Sequence, residues 1–268
     1  MSTPIGNLGD MSHRAVEVLS SAALVIAEDT RHSRRLLDHY KIGTPLSSYH
    51  EHNEAKETPR LVARLQAGDS IALISDAGTP LISDPGSRLV DAAVDAGVPV
   101  VPIPGPSAVM AALVASGMSL ERFTFYGFLP RKGKERTETI SDVVASRATS
   151  VLFEAPTRVG ATLETLVEAG AGERRAVVAR ELTKQFEEFK RGTISELSLI
   201  YKDADPRGEV VLVIAGAPAQ TVTEHELSDA AAQLRASGKA PRDVMDHLVS
   251  ALGAPRNLAY RIAHEDES

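Results

Sequence analysis

The sequence predicts an α/β protein that has two sheets and a small helical tail. Through residue 119, short apolar runs alternate with amphipathic stretches, and apolar strands without alternation are typical of a parallel sheet covered on both faces. From residue 123 the strand patterns become longer, richer in β-branched and aromatic residues, and clustered, which indicates a second, mixed sheet. We therefore expect an N-terminal parallel-sheet domain at 1–119, a mixed-sheet domain at 120–217 and a tail at 218–268.

Each element of the first domain follows from its own pattern. Short apolar runs bounded by polar or Gly/Pro residues predict strands at 22–27, 45–49, 70–75 and 99–103. Amphipathic stretches between these runs predict helices at 11–21, 32–39, 58–67, 88–96 and 107–116.

The second domain and the tail are read in the same way. Strands are predicted at 123–129, 150–153, 176–182, 189–194 and 209–215, with helices at 135–146, 159–169 and 195–201. The small residues and proline at 216–218 indicate a linker. Three tail helices are predicted at 223–237, 241–251 and 255–263, with Pro241 and Pro255 in first turns, where a missing N–H costs nothing.

Composition restricts the class of protein. The chain has 268 residues, of which 43% are hydrophobic and 24% charged, as in globular proteins of about two domains. It has no apolar run near the length of a membrane span, and residues 1–4 do not resemble a secretory signal, so we expect a cytoplasmic protein without a membrane partner. The absence of cysteine excludes disulfides, thiolate nucleophiles and cysteine-ligated metals.

The net charge of −7 is opposite to that of a typical nucleic-acid-binding protein. The middle domain is the least unfavourable to phosphate, since its basic and acidic residues balance. The tail has 5 basic and 8 acidic residues, so we do not expect it to bind DNA. If RNA is the partner, local basic clusters must hold it.

Two loops have the composition of ligand-binding turns. Residues 75–86 (SDAGTPLISDPG) follow a predicted strand and precede a helix, and 102–107 (PIPGPS) occupy the same position one strand later. Asp76 and Asp84 offer acceptors to amines or hydroxyls, while Gly78 permits a close backbone approach. Loops at the carboxyl ends of neighbouring parallel strands face one crevice. Residues 3–10 (TPIGNLGD) form a third candidate loop, but it matches neither a dinucleotide fingerprint nor a P-loop.

Several charged segments admit both a functional and a structural interpretation. In residues 27–35 (AEDTRHSRR), Asp29 or Thr30 caps a helix, and the arginines are either solvated or contact phosphate. Residues 131–136 (RKGKER) form the densest basic cluster, on a loop after a strand. His50 and His52 lack the spacing of known zinc motifs, so no metal site is expected.

Eight motifs occur in one order along the chain: TPIGNLGDMS, AEDTRHSRRLL, SYHEHNE, SDAGTPLISDPG, PIPGPSA, GFLPRK, FEAPTR and ARELTK. Together they resemble the ribosomal RNA small-subunit methyltransferase I family of the tetrapyrrole methylase superfamily. The resemblance extends from Thr3 to about Ala217. The three-helix tail is similar to the helix-turn-helix-like C-terminal segment of many members.

The resemblance implies a function and a cofactor. S-adenosylmethionine would donate a methyl group to the ribose 2′-hydroxyl of a cytidine in the decoding region of 16S rRNA, within the small ribosomal subunit, and the protein would be a homodimer. The cofactor would lie in a crevice between two α/β domains. Position by position, the resemblance assigns cofactor contacts to Asp76, Ala77, Gly78, Ser83, Asp84, Ser107, Phe153, Glu154, Ala155, Leu182, Thr183, Gly208 and Glu209.

Transfer from a sulfonium methyl needs no acid for the leaving group, but the weakly nucleophilic hydroxyl needs either a general base or close alignment. Candidate carboxylates are Glu28, Asp29, Glu154 and Glu181, of which we favour Glu154 and Glu181 as catalytic residues. Lys184, with Arg31 and Arg158, is a candidate for holding phosphate or stabilising the alkoxide. Predicted RNA-binding residues are Arg31, Arg34, Arg35, Arg131, Lys132, Lys134 and Arg158.

One departure from the family pattern concerns the start of the chain. Members carry a hydrophobic strand directly before TPIGN, whereas this sequence has only Met1 and Ser2 there. We expect the protein as written to be less stable than one with about ten more residues upstream, enough for one strand. Two alternative functions remain: a methylase of a tetrapyrrole or another small molecule, and a non-catalytic ribosome-binding protein.

Overall fold

The computed structural model describes residues 1–204, 206–218 and 223–264. The chain divides into two compact units, Met1–Ala217 and Pro218–Ser268. Within the described residues, no helix is both long enough and apolar enough to cross a membrane.

The first sheet contains three short parallel strands, β1 (Leu24–Ala27), β2 (Leu46–Ser48) and β3 (Ile71–Leu73), in the order β2-β1-β3. Helices connect them and cover them: α1 (His13–Ser21), α2 (Thr30–His39), α3 (Glu54–Gln66) and α4 (Ser87–Asp95). Val25 and Ala27 of β1 pack with α1 and α2, whereas Leu24 and Ile26 pack with α3 and α4. Because both faces are buried, the strand is apolar at every position.

The second sheet has five strands, β4 (Phe123–Phe128), β5 (Thr149–Glu154), β6 (Arg175–Arg180), β7 (Glu188–Thr193) and β8 (Val210–Ile214). Their order is β4-β5-β8-β6-β7, and only the β4–β5 pair is parallel. Helix α5 (Ala108–Ser116) packs on the face that carries Val151, and the opposite face, with Leu152, packs on α6 (Lys134–Ala145), α7 (Val159–Leu166) and α8 (Ile194–Tyr201). The predicted fold class, a parallel sheet followed by a mixed sheet, is confirmed.

The prediction differs from the structure at several places, among them residues 99–103, the start of α3 and the end of β6. The strand predicted at 99–103 does not form: Val100 and Val101 are exposed, and prolines at 99, 102 and 104 cannot donate to a neighbouring strand. The helix predicted from residue 58 begins at Glu54, with Pro59 inside it. Strand β6 ends at Arg180 rather than at residue 182, because Glu181 adopts a positive φ of 53°.

The second unit contains α9 (Glu224–Ala236), α10 (Pro241–Ser250) and α11 (Arg256–His264). The side chain of Thr223 accepts from the backbone of Glu226, and the Glu226 carboxylate accepts from the backbone of Thr223, which closes the start of α9. The helices share a core of their own, which consists of Leu227, Ala231, Val244, Leu248, Ala254, Ala259, Ile262 and Ala263. The predicted tail helices are therefore present.

Candidate functional site

A cavity of about 350 Å³ lies in the first unit, between the loops of the first sheet and the strand ends of the second. This is the size range of cofactor and small-molecule sites. Its walls are formed by Ile5, Glu28, Asp76, Ala77, Gly78, Thr79, Ile82, Ser83, Asp84, Ser107, Ala108, Val109, Phe128, Phe153, Glu154, Ala155, Pro156, Gly208, Glu209, Val210 and Val211.

Strand direction explains why these residues meet. Glu28 directly follows β1, and Asp76 follows β3 after a short connection, so both lie at the carboxyl end of the parallel sheet. In the second sheet Glu154 ends β5, and Val210 begins β8 opposite it, because that pair is antiparallel. The cavity is thus bordered by strand ends of both sheets.

The N-terminal segment ties the two predicted ligand loops together. Thr3 and Gly78 exchange backbone hydrogen bonds of 2.8 and 3.0 Å, and the Ser2 amide donates to the Ile103 carbonyl at 3.2 Å. The Thr79 hydroxyl donates to the Pro106 carbonyl at 3.2 Å. Residues 75–86 and 102–107 therefore face the same cavity, as the sequence predicts.

Unusual backbone conformations concentrate in two of the segments that the family motifs cover. Leu81 and Ser83 have φ values of 71° and 65°, and Glu181 and Thr183 have φ values of 53° and 66°. A positive φ costs free energy in any residue but glycine, and such residues cluster at ligand sites. Surrounding packing must hold both segments in these shapes.

A glycine and an ion pair stabilise the second strained segment. Lys184 Nζ lies 2.8 Å from Glu181 Oε1 and 3.1 Å from Glu209 Oε2. The Glu209 amide donates to Glu181 Oε1 at 3.2 Å, and the hydrogen bond from Lys184 lowers the pKa of Glu181. A Cβ at Gly208, whose φ is 89°, would overlap this carboxylate. The network positions Gly208 and Glu209 at the cavity wall.

Three carboxylates give the cavity a negative charge. Burial raises the pKa of Asp84 to about 6, and the charges of Glu28 and Asp76 add to the effect. Partial desolvation also raises the pKa of Glu28, with a further contribution from Asp76. Asp76 accepts from the Asp29 amide at 3.1 Å. Carboxylates that repel one another in this way favour a cationic ligand group.

Comparisons with known proteins give the family. Residues 2–198 match the family model described as tetrapyrrole (corrin/porphyrin) methylases. A protein from Synechocystis named ribosomal RNA small subunit methyltransferase I is 45% identical, covering 100% of this chain and 97% of its own length. Proteins of that name from Halalkalibacterium halodurans (38% identical, covering 99% and 94%) and Bacillus subtilis (45%, covering 84% and 76%) are also similar. The chain belongs to this methyltransferase family.

Solved structures agree with the fold of the family. A uroporphyrin-III-C-methyltransferase from Thermus thermophilus has a TM-score of 0.57 at 22% identity, covering 80% of this chain and 91% of that one. A diphthine synthase has a TM-score of 0.61 at 18% identity, covering 79% and 87%. These structures share the fold, and the family model and the named relatives confirm the resemblance drawn from the eight motifs.

Of the residues that the family resemblance assigns to the cofactor, most line the cavity: Asp76, Ala77, Gly78, Ser83, Asp84, Ser107, Phe153, Glu154, Ala155, Gly208 and Glu209. Leu182 and Thr183 do not. Leu182 is buried in the core beside Ile5, and the Thr183 amide donates to Glu187 at 2.6 Å. Both instead support the strained segment next to the cavity.

Some cavity residues were not expected as cofactor contacts. Ile5, Phe128 and Val211 supply apolar wall, and Glu28 supplies a carboxylate. The sequence signal for Glu28 is its place directly after an apolar strand run. The apolar residues carry no such signal, because their pattern is the same as that of core residues.

The two carboxylates favoured as catalytic residues are both engaged. Glu154 is buried; its oxygens accept from Thr162 Oγ1 at 2.6 Å and from the Ala155 amide at 2.9 Å, and Arg158 Nε lies 3.1 Å away. Glu181 is held by Lys184, as described above, and does not line the cavity. This geometry favours positioning roles for both.

The predicted RNA-binding residues fall into two groups. The side chain of Arg31 is 91% exposed beside Asp29, and Arg34, Arg35, Arg131 and Lys132 are also exposed. Lys134 is exposed and pairs with Glu138 at 3.2 Å. Arg158 differs, because it donates to the Leu129 and Pro130 carbonyls at 2.6 and 3.1 Å as well as pairing with Glu154. We therefore assign Arg158 to the structure of the loop after β4.

No group of three or more histidine, aspartate or glutamate residues is arranged to hold a metal ion within the described ranges. The rings of His50 and His52 lie 5.9 Å apart in an edge-to-face arrangement.

Proposed function

We propose that this protein transfers a methyl group from S-adenosylmethionine to the 2′-hydroxyl of a cytidine ribose in the decoding region of 16S rRNA. The observation that carries the proposal is the acidic cavity at the strand ends, in a chain whose relatives at 38–47% identity are named ribosomal RNA small subunit methyltransferase I. The small ribosomal subunit is the proposed substrate.

The cavity suits S-adenosylmethionine in charge and in shape. Its sulfonium and ammonium groups match the carboxylates of Asp76 and Asp84, while Phe153 and Val211 offer apolar wall to the adenine ring. When bound, the cofactor supplies an electrophilic methyl group. The chain's own residues hold it, and we assign this role to the wall residues at 76–78, 83–84, 107, 153–155 and 208–209.

Recognition of RNA must be local, because the net charge is −7. The exposed arginines of α2, Arg31, Arg34 and Arg35, lie within two helical turns of the cavity residue Glu28 along the chain. Arg131 and Lys132 lie on the loop just beyond Phe128, which also lines the cavity. We propose that these two basic groups hold phosphates on either side of the target ribose.

The proposal includes a homodimer, which the family resemblance implies. Helix α5 is apolar nearly all round: Val109 and Leu113 are buried against the second sheet, whereas Met110 and Val114 are 49% and 67% exposed. Apolar helices of this kind are usually buried on all sides. We assign the exposed face to a second copy of the chain. Light scattering of the V114E variant tests this, with a monomer expected.

Transfer of a labelled methyl group tests the function. The purified protein is incubated with labelled S-adenosylmethionine and small ribosomal subunits that lack the modification, and the nucleosides are analysed by mass spectrometry after nuclease digestion. We expect 2′-O-methylcytidine. A labelled base would contradict the ribose assignment, and cofactor binding without incorporation would favour a small-molecule methylase.

A further inference from the structure

Glu28 is a carboxylate of the cavity that the chain itself leaves open. It directly follows β1, lines the cavity and is exposed. Within the residues that the structure describes, its carboxylate makes no hydrogen bond or ion pair. Glu154 and Glu209, which share the same cavity, are each engaged by a cationic side chain.

We propose that Glu28 accepts the proton of the ribose hydroxyl during methyl transfer, an inference that rests on the proposed function. The hydroxyl O–H bond breaks and its proton passes to a carboxylate oxygen of Glu28. The oxygen forms a bond to the methyl carbon as the carbon–sulfur bond breaks, and that electron pair remains on sulfur, which becomes a neutral thioether. Glu28 ends as a carboxylic acid and returns the proton to solvent.

The backbone around Glu28 is fixed on both sides. Ala27 lies in β1, and its carbonyl accepts from the Tyr49 amide at 2.8 Å. The Asp29 amide donates to Asp76 Oδ1 at 3.1 Å, while Asp29 Oδ1 accepts from the Arg31 amide at 2.8 Å and caps α2. A carboxylate on such a support can be held near a substrate with little loss of conformational entropy.

Charged groups from three strand ends face Glu28. Asp76 and Asp84 come from the loop after β3, Glu51 follows β2, and Asp29 lies on the same segment as Glu28. The negative charges of these four acids disfavour ionisation of Glu28. His50, after β2, acts in the opposite direction. Partial desolvation in the cavity wall, together with these acids, raises the pKa of Glu28, which makes its carboxylate a stronger base than a solvated one.

The same segment connects the proton acceptor to the RNA-facing surface. Arg31 lies three residues after Glu28, in the first turn of α2, with its side chain 91% exposed. A phosphate held there would bring its nucleotide to the mouth of the cavity. Glu154 and Glu181 have no comparable access, since one is buried and the other lies outside the cavity lining.

The test compares E28Q with E28D and with E51Q, which removes a nearby exposed charge outside the cavity lining. In E28Q we expect kcat on small subunits to fall by about 100-fold or more, the usual contribution of a general base. The Kd for S-adenosylhomocysteine should stay within about threefold, since one wall charge of several is lost. E28D should recover part of kcat.

The pH dependence of kcat tests whether Glu28 must be ionised. The acceptor must be ionised, so wild-type kcat should fall as pH falls through the pKa of Glu28, and E28Q should lose this step. E51Q should keep the plateau rate and move the midpoint to lower pH, because a neighbouring negative charge is removed. Carbon-13 NMR of carboxyl-labelled glutamate, with the Glu28 signal identified by its loss in E28Q, measures the same pKa without turnover.

The other outcomes contradict either the role of Glu28 or the proposed function. If E28Q keeps more than a third of wild-type kcat, or keeps the wild-type pH step, Glu28 is not the acceptor, while the proposed function stands. If E28Q loses binding of S-adenosylhomocysteine in proportion to kcat, its role is in cofactor binding. If the wild-type protein itself yields no methylated ribose, the proposed function fails and the acceptor role fails with it.

Discussion

Gly208 shows how a single backbone position determines the geometry of the cavity wall. Its φ of 89° is strained for other residues, and a Cβ there would overlap the Glu181 carboxylate that Lys184 holds. We expect G208A to lower stability by about 2–3 kcal/mol and to weaken cofactor binding. Thermal unfolding and calorimetric titration with S-adenosylhomocysteine measure the two effects.

The matched control for this substitution is G68A. Gly68 has a similar φ of 101°, but a Cβ there would meet no described atom within 4 Å. G68A therefore has the backbone cost of about 1 kcal/mol without the collision. Equal loss of cofactor affinity in both variants would show that the contact with Glu181 does not shape the site.

The carboxyl of Asp84 predicts a pH dependence. Its pKa of about 6 lies above its ordinary value, so between about pH 4 and 6 the folded protein binds more protons than the unfolded chain and stability falls as pH rises. D84N removes this cost, and we expect it to be more stable than wild type at pH 8 by on the order of 1 kcal/mol, since solvent screens part of the effect. At about pH 3, below the pKa of this carboxyl in both the folded and the unfolded state, the two proteins should melt alike.

The same charge predicts cofactor affinity. A cationic ligand stabilises ionised Asp84, so S-adenosylmethionine should bind wild type more tightly as pH rises through 6, and D84N should lose this dependence. A pH-independent affinity in wild type would contradict placement of the ligand's cation beside Asp84.

Arg158 is expected to stabilise the fold rather than to bind RNA. It pairs with the buried Glu154 and donates to two loop carbonyls, so R158Q should destabilise the protein by about 3 kcal/mol. Chemical denaturation measures this loss. RNA binding by the folded variant should keep the wild-type salt dependence; a lower slope would return Arg158 to the RNA-binding set.

At the scale of elements, the loop after β4 should contribute phosphate contacts. Arg131 and Lys132 are exposed, while Arg158 and Arg136 anchor the preceding Pro130 carbonyl. Replacing both exposed residues with glutamine should lower the slope of log Kobs against log salt for RNA by roughly 1–2 and leave cofactor affinity unchanged. K190Q, an exposed lysine on strand β7, serves as the control. An unchanged slope in the double variant would exclude the loop from phosphate binding.

Elements were predictable from sequence where a single physical cause acts. The run of β1 is apolar because both of its faces are buried, and this run alone predicts a covered parallel strand. Residues 99–103 have a similar apolar pattern, yet their prolines prevent pairing, and the hydrogen-bond partner offered to Ile103 is Ser2. Apolar pattern predicts burial better than it predicts strand pairing.

The candidate site was predictable in part for the same reason. Loops such as 75–86 stand out because turns require Gly, Pro and Asp for local reasons. The topology of the sheets then brings these loops to one cavity. Whether a charged residue is free or paired depends on contacts distant in sequence. Arg158 and Leu129 are 29 residues apart, and Lys184 and Glu209 are 25 apart. No local pattern distinguishes these from the exposed Arg131 or the unpaired Glu28.

At the scale of the whole molecule, each compact unit has its own core. The cavity is built from residues of the first unit, and the apolar cluster of the second unit contains residues from Leu227 to Ala263. We expect the units to unfold separately. L248A removes a fully buried side chain of α10 and should destabilise the second unit by about 2–5 kcal/mol.

Differential scanning calorimetry with and without S-adenosylhomocysteine measures this separation. In wild type we expect two transitions, of which the ligand raises only that of the first unit, because a ligand stabilises the unit that binds it. L248A should lower the other transition and leave the ligand affinity unchanged. If L248A weakens ligand binding, the second unit supports the cavity. If it lowers methylation of small subunits without affecting ligand affinity, the helical unit contributes to capture of the ribosomal substrate, a role that its net negative charge restricts to a few local contacts.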